Sequence, residues 1–144
     1  MKIFLDTTVL VAAVVAHHPH HARALSVISG VLSGDDHGHV AAHGLAETYA
    51  VLTTLPVTPR IGPEAASKLI GEDIVAHFDV VALTAREYER LIAGLSERSV
   101  MGGATYDVIQ LECARKAAAD RVYTFNVKDF RGLDPELSTR IVAP

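Results

Sequence analysis

The first ten residues of the chain constrain the fold more than any other stretch. Ile3, Phe4 and Leu5 form a short run of apolar, strand-forming residues that ends at Asp6. A continuous apolar run predicts a strand that is covered on both faces, as in a parallel α/β sheet. Functional groups in such sheets lie at the carboxyl ends of the strands, which is where Asp6 stands. Capping of the following helix by Asp6 or Thr7 is an equal alternative, so the functional interpretation depends on other acids reaching the same edge.

The length and composition favour one globular domain, which we expect to span residues 1–144. The chain is 49% apolar and 21% charged, which is typical of folded rather than disordered proteins, and its length is sufficient to bury a layered core. The net charge of −4 argues against a strongly basic surface that wraps nucleic acid. It does not exclude an enzyme that holds cations among carboxylates and meets phosphates through them.

Cysteine usage and hydropathy favour a reduced, cytoplasmic setting. Cys113 is the single cysteine, which excludes an internal disulfide and a cysteine-based zinc site, and its apolar surroundings predict a buried thiol. Asp6 interrupts the apolar N-terminal stretch, so we expect no signal peptide, and no run reaches the roughly 18 apolar residues of a membrane span. The histidine-rich stretch 17–21 has no second ligand cluster at a matching spacing, so surface or capping roles are favoured over a metal site.

The chain alternates between predicted strands and helices. Thr84 and Glu87 have the spacing of a capping box and mark the start of one helix, while Pro19 interrupts the first helical region. Helices between strands imply an α/β fold with a mainly parallel sheet and right-handed crossovers. The predicted strands cover residues 3–5, 39–42, 79–83, 121–125 and 140–143, and the predicted helices cover residues 9–15, 22–32, 44–55, 65–76, 85–98 and 104–119.

Acidic and amide side chains recur at the carboxyl ends of strands or in the first turns of the following helices. They are Asp6, Glu47, Asn126 and Asp129, and Asp107 opens a helix that can reach the same edge. Like charges repel, so a cluster of carboxylates predicts a compensating cation, and oxygen ligands suit Mg²⁺ or Mn²⁺. Such ions support phosphodiester hydrolysis. Each acid taken alone is more simply a solvated or capping charge.

Four stretches of the sequence carry a resemblance to a known family. They are Phe4–Leu10, Ala46–Leu52, Gly102–Asp107 and Tyr123–Phe130. In this order and at these intervals, they resemble the PIN-domain ribonucleases over essentially the whole chain, and within them the VapC-like toxins of bacterial toxin–antitoxin pairs. The resemblance implies a three-layer α/β/α fold, Mg²⁺- or Mn²⁺-dependent endoribonuclease activity on RNA, and usually a homodimer. It also implies a VapB-like antitoxin partner whose C-terminal segment lies near the active-site groove.

The resemblance also implies roles for individual residues. Asp6, Glu47 and Asp107 match the three metal-binding, catalytic acids of the family, so Asp6 and Asp107 would hold a first ion while Glu47 binds it or orients the attacking water. Many relatives have an acid where Asn126 stands, whereas here the acid comes three residues later, at Asp129. Either residue is therefore a candidate to complete the metal site, and a second metal position stays open.

Hydroxyl and basic side chains supply candidates for substrate binding. Thr8 matches a small hydroxyl position in the family, which implies contact with a phosphate or a water, and Thr124 is a second candidate. Candidate RNA contacts among the cations, each of which a solvated position explains more simply, are Arg23, Arg86, Lys128 and Arg131.

Three other functions fit parts of the pattern. A haloacid-dehalogenase-like phosphatase requires a second acid two residues after Asp6, and Thr8 stands there. A phosphoacceptor receiver domain requires paired acids after the first strand, which are absent. A catalytically inactive PIN-like module that binds RNA or protein is the remaining alternative. The retained Asp6, Glu47 and Asp107 argue against it, because an inactive site has no use for their mutual repulsion.

Overall fold

A five-stranded parallel sheet forms the centre of the protein, and the computed structural model describes all of residues 1–144. The strands are β1 (Lys2–Leu5), β2 (His37–Ala41), β3 (Asp79–Val81), β4 (Arg121–Tyr123) and β5 (Ile141–Val142). Their order across the sheet is β3–β2–β1–β4–β5, and every neighbouring pair is parallel. The first strand of the chain is therefore the central one.

Seven α-helices connect and cover the strands. They are α1 (Thr7–Val14), α2 (His21–Leu32), α3 (Ala42–Thr54), α4 (Pro63–Leu69), α5 (Ala85–Glu97), α6 (Ala104–Lys116) and α7 (Val127–Leu133). Helix α4 continues directly into a π-helical segment over Ile70–Val75. None of these helices has the combination of length and apolar character that crossing a bilayer requires.

Strand β1 is buried on both of its faces, as the apolar run predicted. Ile3 and Leu5 pack into one core cluster together with residues of α1 and α2. Phe4 points to the opposite face and packs with residues of α5, α6 and α7. Full burial stabilises each such side chain by about 1.5–3 kcal/mol. Helices on both faces of one sheet give three layers, so the predicted α/β/α architecture is confirmed.

The register of the sheet brings the carboxyl ends of three strands together. Leu5, the last residue of β1, pairs with Val40 of β2 and with Tyr123 of β4. Asp6 and Thr124, which directly follow β1 and β4, therefore lie side by side at this edge. Helix α3 begins directly at the end of β2, so it starts from the same edge.

Most predicted elements are present with small shifts of their ends. The capping box of α5 is formed, because Glu87 N–H donates to Thr84 Oγ1 at 3.2 Å and Thr84 N–H donates to Glu87 Oε2 at 2.6 Å. Cys113 is buried, as predicted. The helix predicted over 65–76 is α-helical only as far as Leu69. Helix α7 has no predicted counterpart, since its seven residues are too few for a helical period to emerge from the sequence.

Candidate active site

Asp6 is the most firmly held carboxylate of the sheet edge. It caps α1 by accepting a hydrogen bond from the Val9 backbone N–H at 3.1 Å. Thr8 donates its hydroxyl to Oδ1 of Asp6 at 2.6 Å, and Thr124 donates its hydroxyl to Oδ2 at 2.7 Å. Both carboxylate oxygens therefore have fixed positions. Asp6 therefore does cap the following helix, which was one of the two alternatives from the sequence. The capping position also keeps the acid at the carboxyl end of β1.

The two threonines are themselves oriented by backbone donors. The Phe125 N–H donates to Thr8 Oγ1 at 3.1 Å, and the Asn126 N–H donates to Thr124 Oγ1 at 2.9 Å. Each hydroxyl thus receives one hydrogen bond and directs its own proton at Asp6. The substrate-binding role of Thr8 and Thr124 stays a prediction, and the contacts present assign them to positioning the carboxylate.

Burial makes the charged form of Asp6 unfavourable. The residue is 2% exposed, and loss of solvent raises its pKa from 3.8 to about 6. The hydrogen bonds from Thr8, Thr124 and Val9 oppose this rise in pKa, while the negative charge of Asp107 adds to it. Hydrogen-bond donors hold this carboxylate in place, while burial favours its neutral form. A nearby cation would therefore stabilise its charged form.

Asp107 and Glu47 approach the same edge from two helices. Asp107 lies in the first turn of α6 and is partly buried, and its side chain makes no hydrogen bond within the chain. Its pKa is raised, first by loss of solvent and then by the negative charges of Glu47 and Asp129. Asp6, Asp107, Glu47 and Asp129 therefore interact through their negative charges, although their carboxylates are not in direct contact.

Gln110 is a site residue that the sequence analysis missed. It is 2% exposed, and its Nε2 donates to Glu47 Oε1 at 3.3 Å and to Thr7 Oγ1 at 2.9 Å. Its Oε1 is buried without a hydrogen bond. Gly44 leaves room for this amide, because a Cβ there would stand 3.0 Å from Gln110 Nε2. The available signal was an amide three residues after Asp107, on the inward face of α6.

His43 is a second missed residue, and it flanks Glu47 on α3. Its Nε2 lies 3.1 Å from Glu47 Oε1, close enough for an ion pair, but the angles are not those of a hydrogen bond, and Nε2 is buried without one. We therefore treat this pair as a contact rather than as a formed hydrogen bond. Glu47 remains about one-third exposed. Its carboxylate is therefore accessible to solvent while the hydrogen bond from Gln110 keeps it in place.

Asn126 and Asp129 stand at the start of α7 and are both exposed. Asn126 precedes the helix without a capping hydrogen bond from its side chain. Asp129 lies in the first turn, where an acid interacts favourably with the helix dipole, and its charge acts on Asp107. Neither side chain is held by a hydrogen bond, so both remain candidates to complete the metal site.

The predicted RNA-binding cations differ in what they contact. Arg23 donates through Nε and one Nη to the carbonyl of Pro144, and its guanidinium lies 5.3 Å from the centre of the Phe125 ring. Arg131 donates to the carbonyl of Ile141 in the same two-pronged way. Both guanidinium groups thus have structural partners. Arg86 and Lys128 are exposed and make no such contact.

The donor chemistry of the edge fits a hard divalent ion, whereas the side-chain positions do not form a ready coordination shell. Asp6, Glu47, Asp107, Asn126 and Asp129 offer only oxygen ligands, which suit Mg²⁺ and Mn²⁺. No three His, Cys, Asp or Glu side chains lie close enough to one another to hold one ion. Asp107 is partly buried, lacks a hydrogen bond and has a raised pKa. An added cation would offset the unfavourable negative charge of Asp107. The residues therefore suit a divalent metal ion, provided that the exposed side chains at this edge of the sheet rotate towards it.

A sizeable open cavity lies away from this edge of the sheet. It has a volume of about 730 Å³ and lies between α5, α6 and the turn after α7. Several of its charges are paired with one another: Arg115 contacts Asp134 and Glu136, and Lys116 contacts Glu87. None of the edge carboxylates lines it. This cavity is therefore separate from the candidate site, which the buried carboxylate of Asp6 locates.

Sequence comparison with known proteins finds matches over most of the chain. The family model of the PIN domain matches residues 3–134 of the chain. Ribonuclease VapC40 of Mycobacterium tuberculosis is 35% identical over 130 residues, which cover 90% of this chain and 87% of that protein. Ribonuclease VapC27 of the same organism is 33% identical over 132 residues, which cover 90% of this chain and 86% of that protein.

Two solved structures share the fold. The crystal structure of Mycobacterium tuberculosis VapC20, described as a toxin that cleaves the sarcin–ricin loop, superposes with a TM-score of 0.70 at 22% identity and covers 92% of this chain and 95% of that one. A chain in the crystal structure of Rickettsia felis VapBC2, bound to a DNA fragment from its promoter, superposes with a TM-score of 0.62 at 17% identity and covers 92% of each chain.

Proposed function

The chain belongs to the PIN-domain family, as the four sequence stretches predicted, and on this premise we propose that it is an endoribonuclease of the VapC type that hydrolyses phosphodiester bonds in RNA. The observation that carries the proposal is the buried carboxylate of Asp6. Three donors hold it in place, its environment raises its pKa to about 6, and the charge of Asp107 acts on it. The hydrogen bonds alone would suit a helix cap, whereas burial of the carboxylate together with the nearby charge of Asp107 is the environment expected of a ligand for a cation.

The proposed reaction depends on Mg²⁺ or Mn²⁺. Asp6, Glu47 and Asp107 would hold the ion, with Asn126 or Asp129 completing its surroundings. A divalent ion there supplies positive charge that stabilises the developing negative charge on the scissile phosphate. Asp6 is the fixed member of the set, because its two oxygens are already positioned by hydrogen bonds.

Asp6 and Glu47 have separate roles in this proposal. Thr8 and Thr124 keep the Asp6 carboxylate in one orientation, so no rotamer has to be selected when the substrate arrives. Glu47 is partly exposed and held by Gln110, so its carboxylate is placed to orient and deprotonate the attacking water. The attack is direct, and no covalent enzyme intermediate is required.

We also propose the biological setting of the VapC relatives for this chain. It would be the toxin of a toxin–antitoxin pair, with a VapB-like antitoxin as its partner, and it would act as a homodimer in the cytoplasm. The identity to ribonucleases VapC40 and VapC27 over most of the chain supports the toxin assignment. Growth arrest on expression, relieved by co-expression of the neighbouring antitoxin gene, tests it.

The test of the enzymatic proposal is cleavage of total cellular RNA by the purified chain, freed of any co-purified partner. Cleavage is expected with Mg²⁺ or Mn²⁺, and it should disappear in EDTA and in the Asp6→Asn variant. Asp73→Asn is the matched control, because it removes one charge from an exposed position in the π-helical segment and should cleave normally. Intact RNA with folded wild-type protein under both metals would favour the inactive binding module instead.

A further inference from the structure

We propose that Tyr106 is a stacking platform for one nucleobase of single-stranded RNA next to the scissile phosphate, with His43 as the residue that positions it. This inference rests on the proposed ribonuclease function. It adds a substrate-binding position that the buried acids do not supply, since a carboxylate site binds phosphate only through a cation and recognises no base.

The first observation is the geometry of the ring pair. The rings of Tyr106 and His43 are stacked, with their centres 5.0 Å apart and their planes 12° from parallel. His43 covers one face of the Tyr106 ring and so restricts its side-chain rotation. Tyr106 is nevertheless 49% exposed. An aromatic ring that is covered on one face and exposed overall offers its other face to solvent.

The second observation is the position of this pair relative to the acids. Tyr106 directly precedes Asp107 in α6, and the Nε2 atom of His43 lies 3.1 Å from a carboxylate oxygen of Glu47. The two helices that contribute Glu47 and Asp107 therefore also contribute the two stacked rings. A base on Tyr106 would place its own phosphate within the reach of one nucleotide from the carboxylates.

The third consideration is the chemistry that an exposed, pre-positioned ring selects. RNA-binding proteins recognise unpaired nucleotides by stacking the splayed bases on Phe, Tyr, Trp or His side chains. Every base has a flat π face, so such stacking binds single strands without requiring one sequence. The overall charge of −4 gives the chain little general attraction for a polyanion, which increases the relative weight of a base contact.

A protein partner is the competing occupant of this ring, and the local surroundings favour RNA. His43 contacts the carboxylate of Glu47 through Nε2 at 3.1 Å, and Asp107 directly follows Tyr106 in α6. Protein interfaces place their aromatic anchors at the centre of an apolar, charge-poor patch. A ring whose neighbours include the partly exposed carboxylates of Glu47 and Asp107 matches a cation-assisted nucleotide site better than such a patch.

The test uses binding without cleavage. The probe is a single-stranded uridine octamer with one central 2-aminopurine, a base whose fluorescence is quenched when it stacks on an aromatic ring. It is titrated with wild type, Tyr106→Ala, Tyr106→Phe and Tyr49→Ala, in EDTA and again with Ca²⁺. Tyr49 is the matched control, because it is a 40% exposed tyrosine of α3 with no ring partner.

We expect wild type, Tyr106→Phe and Tyr49→Ala to quench the probe equally and to bind it with similar affinity. Tyr106→Ala should lose the quenching and bind about tenfold more weakly. His43→Ala should weaken the quenching while leaving the far-ultraviolet circular dichroism spectrum unchanged, because the ring loses its support but the helix does not.

Two results would overturn this inference. One is equal affinity and quenching in Tyr106→Ala and wild type, which includes the absence of any binding. The other is a change in the sedimentation coefficient of Tyr106→Ala without a change in RNA binding, which would assign the ring to a protein interface. RNA cleavage measured in parallel separates the two proposals: cleavage that needs Asp6 but not Tyr106 refutes the platform alone, and Tyr106-dependent binding without cleavage refutes the enzyme alone.

Discussion

Replacing Asp6 by asparagine should stabilise the metal-free protein at neutral pH while abolishing its activity. The pKa of Asp6 is raised from 3.8 to about 6, chiefly because the carboxyl is removed from solvent. The folded chain therefore holds this proton more tightly than the unfolded chain does. The stability contributed by the proton is fully present below pH 3.8 and is lost as the pH rises through about 6.

The size of the effect follows from the same change in pKa. A difference of one pH unit in pKa corresponds to ~1.4 kcal/mol, so ionisation of Asp6 opposes folding by about 3 kcal/mol above pH 6. In the variant, Oδ1 still accepts from Val9 and Thr8, but the amide NH₂ faces Thr124 Oγ1, whose proton then loses its acceptor. Subtracting about 1 kcal/mol for that hydrogen bond leaves a net stabilisation of about 2 kcal/mol.

The assays are urea unfolding and thermal unfolding in EDTA, both monitored by circular dichroism at pH about 7.5 and pH about 4. Asp6→Asn should unfold at higher urea than wild type at the higher pH, with a melting temperature raised by roughly 6 °C. At the lower pH the gain should vanish, because the wild-type carboxyl is protonated there. Asp73→Asn should change neither value. A variant that is no more stable than wild type at neutral pH, or equally stabilised at both, would refute the reasoning.

Three further substitutions test the packing around the site. Thr124→Val should destabilise the fold by about 1–3 kcal/mol in urea unfolding, because it removes a donor to the buried carboxylate and leaves a backbone N–H without its acceptor. Gly38→Ala should destabilise it by about 1–3 kcal/mol, since the new Cβ would clash with the ring of Phe78. Gln110→Met should keep stability within about 1.5 kcal/mol and yet slow RNA cleavage at saturating substrate about 10- to 100-fold, because Glu47 loses its donor.

Each of these substitutions has an informative counterpart. Gly94→Ala, in the interior of α5 with nothing within 4 Å of the added Cβ, should stabilise by up to ~1 kcal/mol, so equal losses at Gly38 and Gly94 would contradict the packing argument. Thr124→Ser keeps the hydroxyl and should retain most of the stability. If Gln110→Met unfolds at far lower urea and cleaves RNA at the normal rate, the amide is structural only.

The sequence predicted the features whose signals are local. Ile3 to Leu5 are apolar at every position because the strand is covered on both faces, and the abrupt change at Asp6 marks the end of that strand. The Thr84–Glu87 capping box and the break at Pro19 are equally local. These signals sufficed for the order of the strands and of every helix except α7, and hence for the parallel sheet.

The missed features depend on packing between distant segments. The sequence named Thr124 as a candidate to bind substrate, but its hydrogen bond to Asp6 joins residues 118 positions apart, and no pattern in the sequence distinguishes a threonine that donates to a buried acid from one that faces solvent. Gln110 resembled an ordinary helix amide, and its role depends on the space that Gly44 leaves on α3. His43 likewise became visible only when α3 and α6 were placed next to each other.

The order of strands across the sheet also sets when the site can be completed as the chain leaves the ribosome. Residues 2–81 contain β1, β2 and β3, which are neighbours in the sheet and can pair as soon as they emerge. Asp6 is then still without Thr124 and without β4, which lies on the other side of β1. The hydroxyl that fixes this carboxylate is delivered more than a hundred residues after the acid itself. The proposed site therefore lacks one of the two hydroxyl donors to Asp6 until residue 124 has been added to the chain.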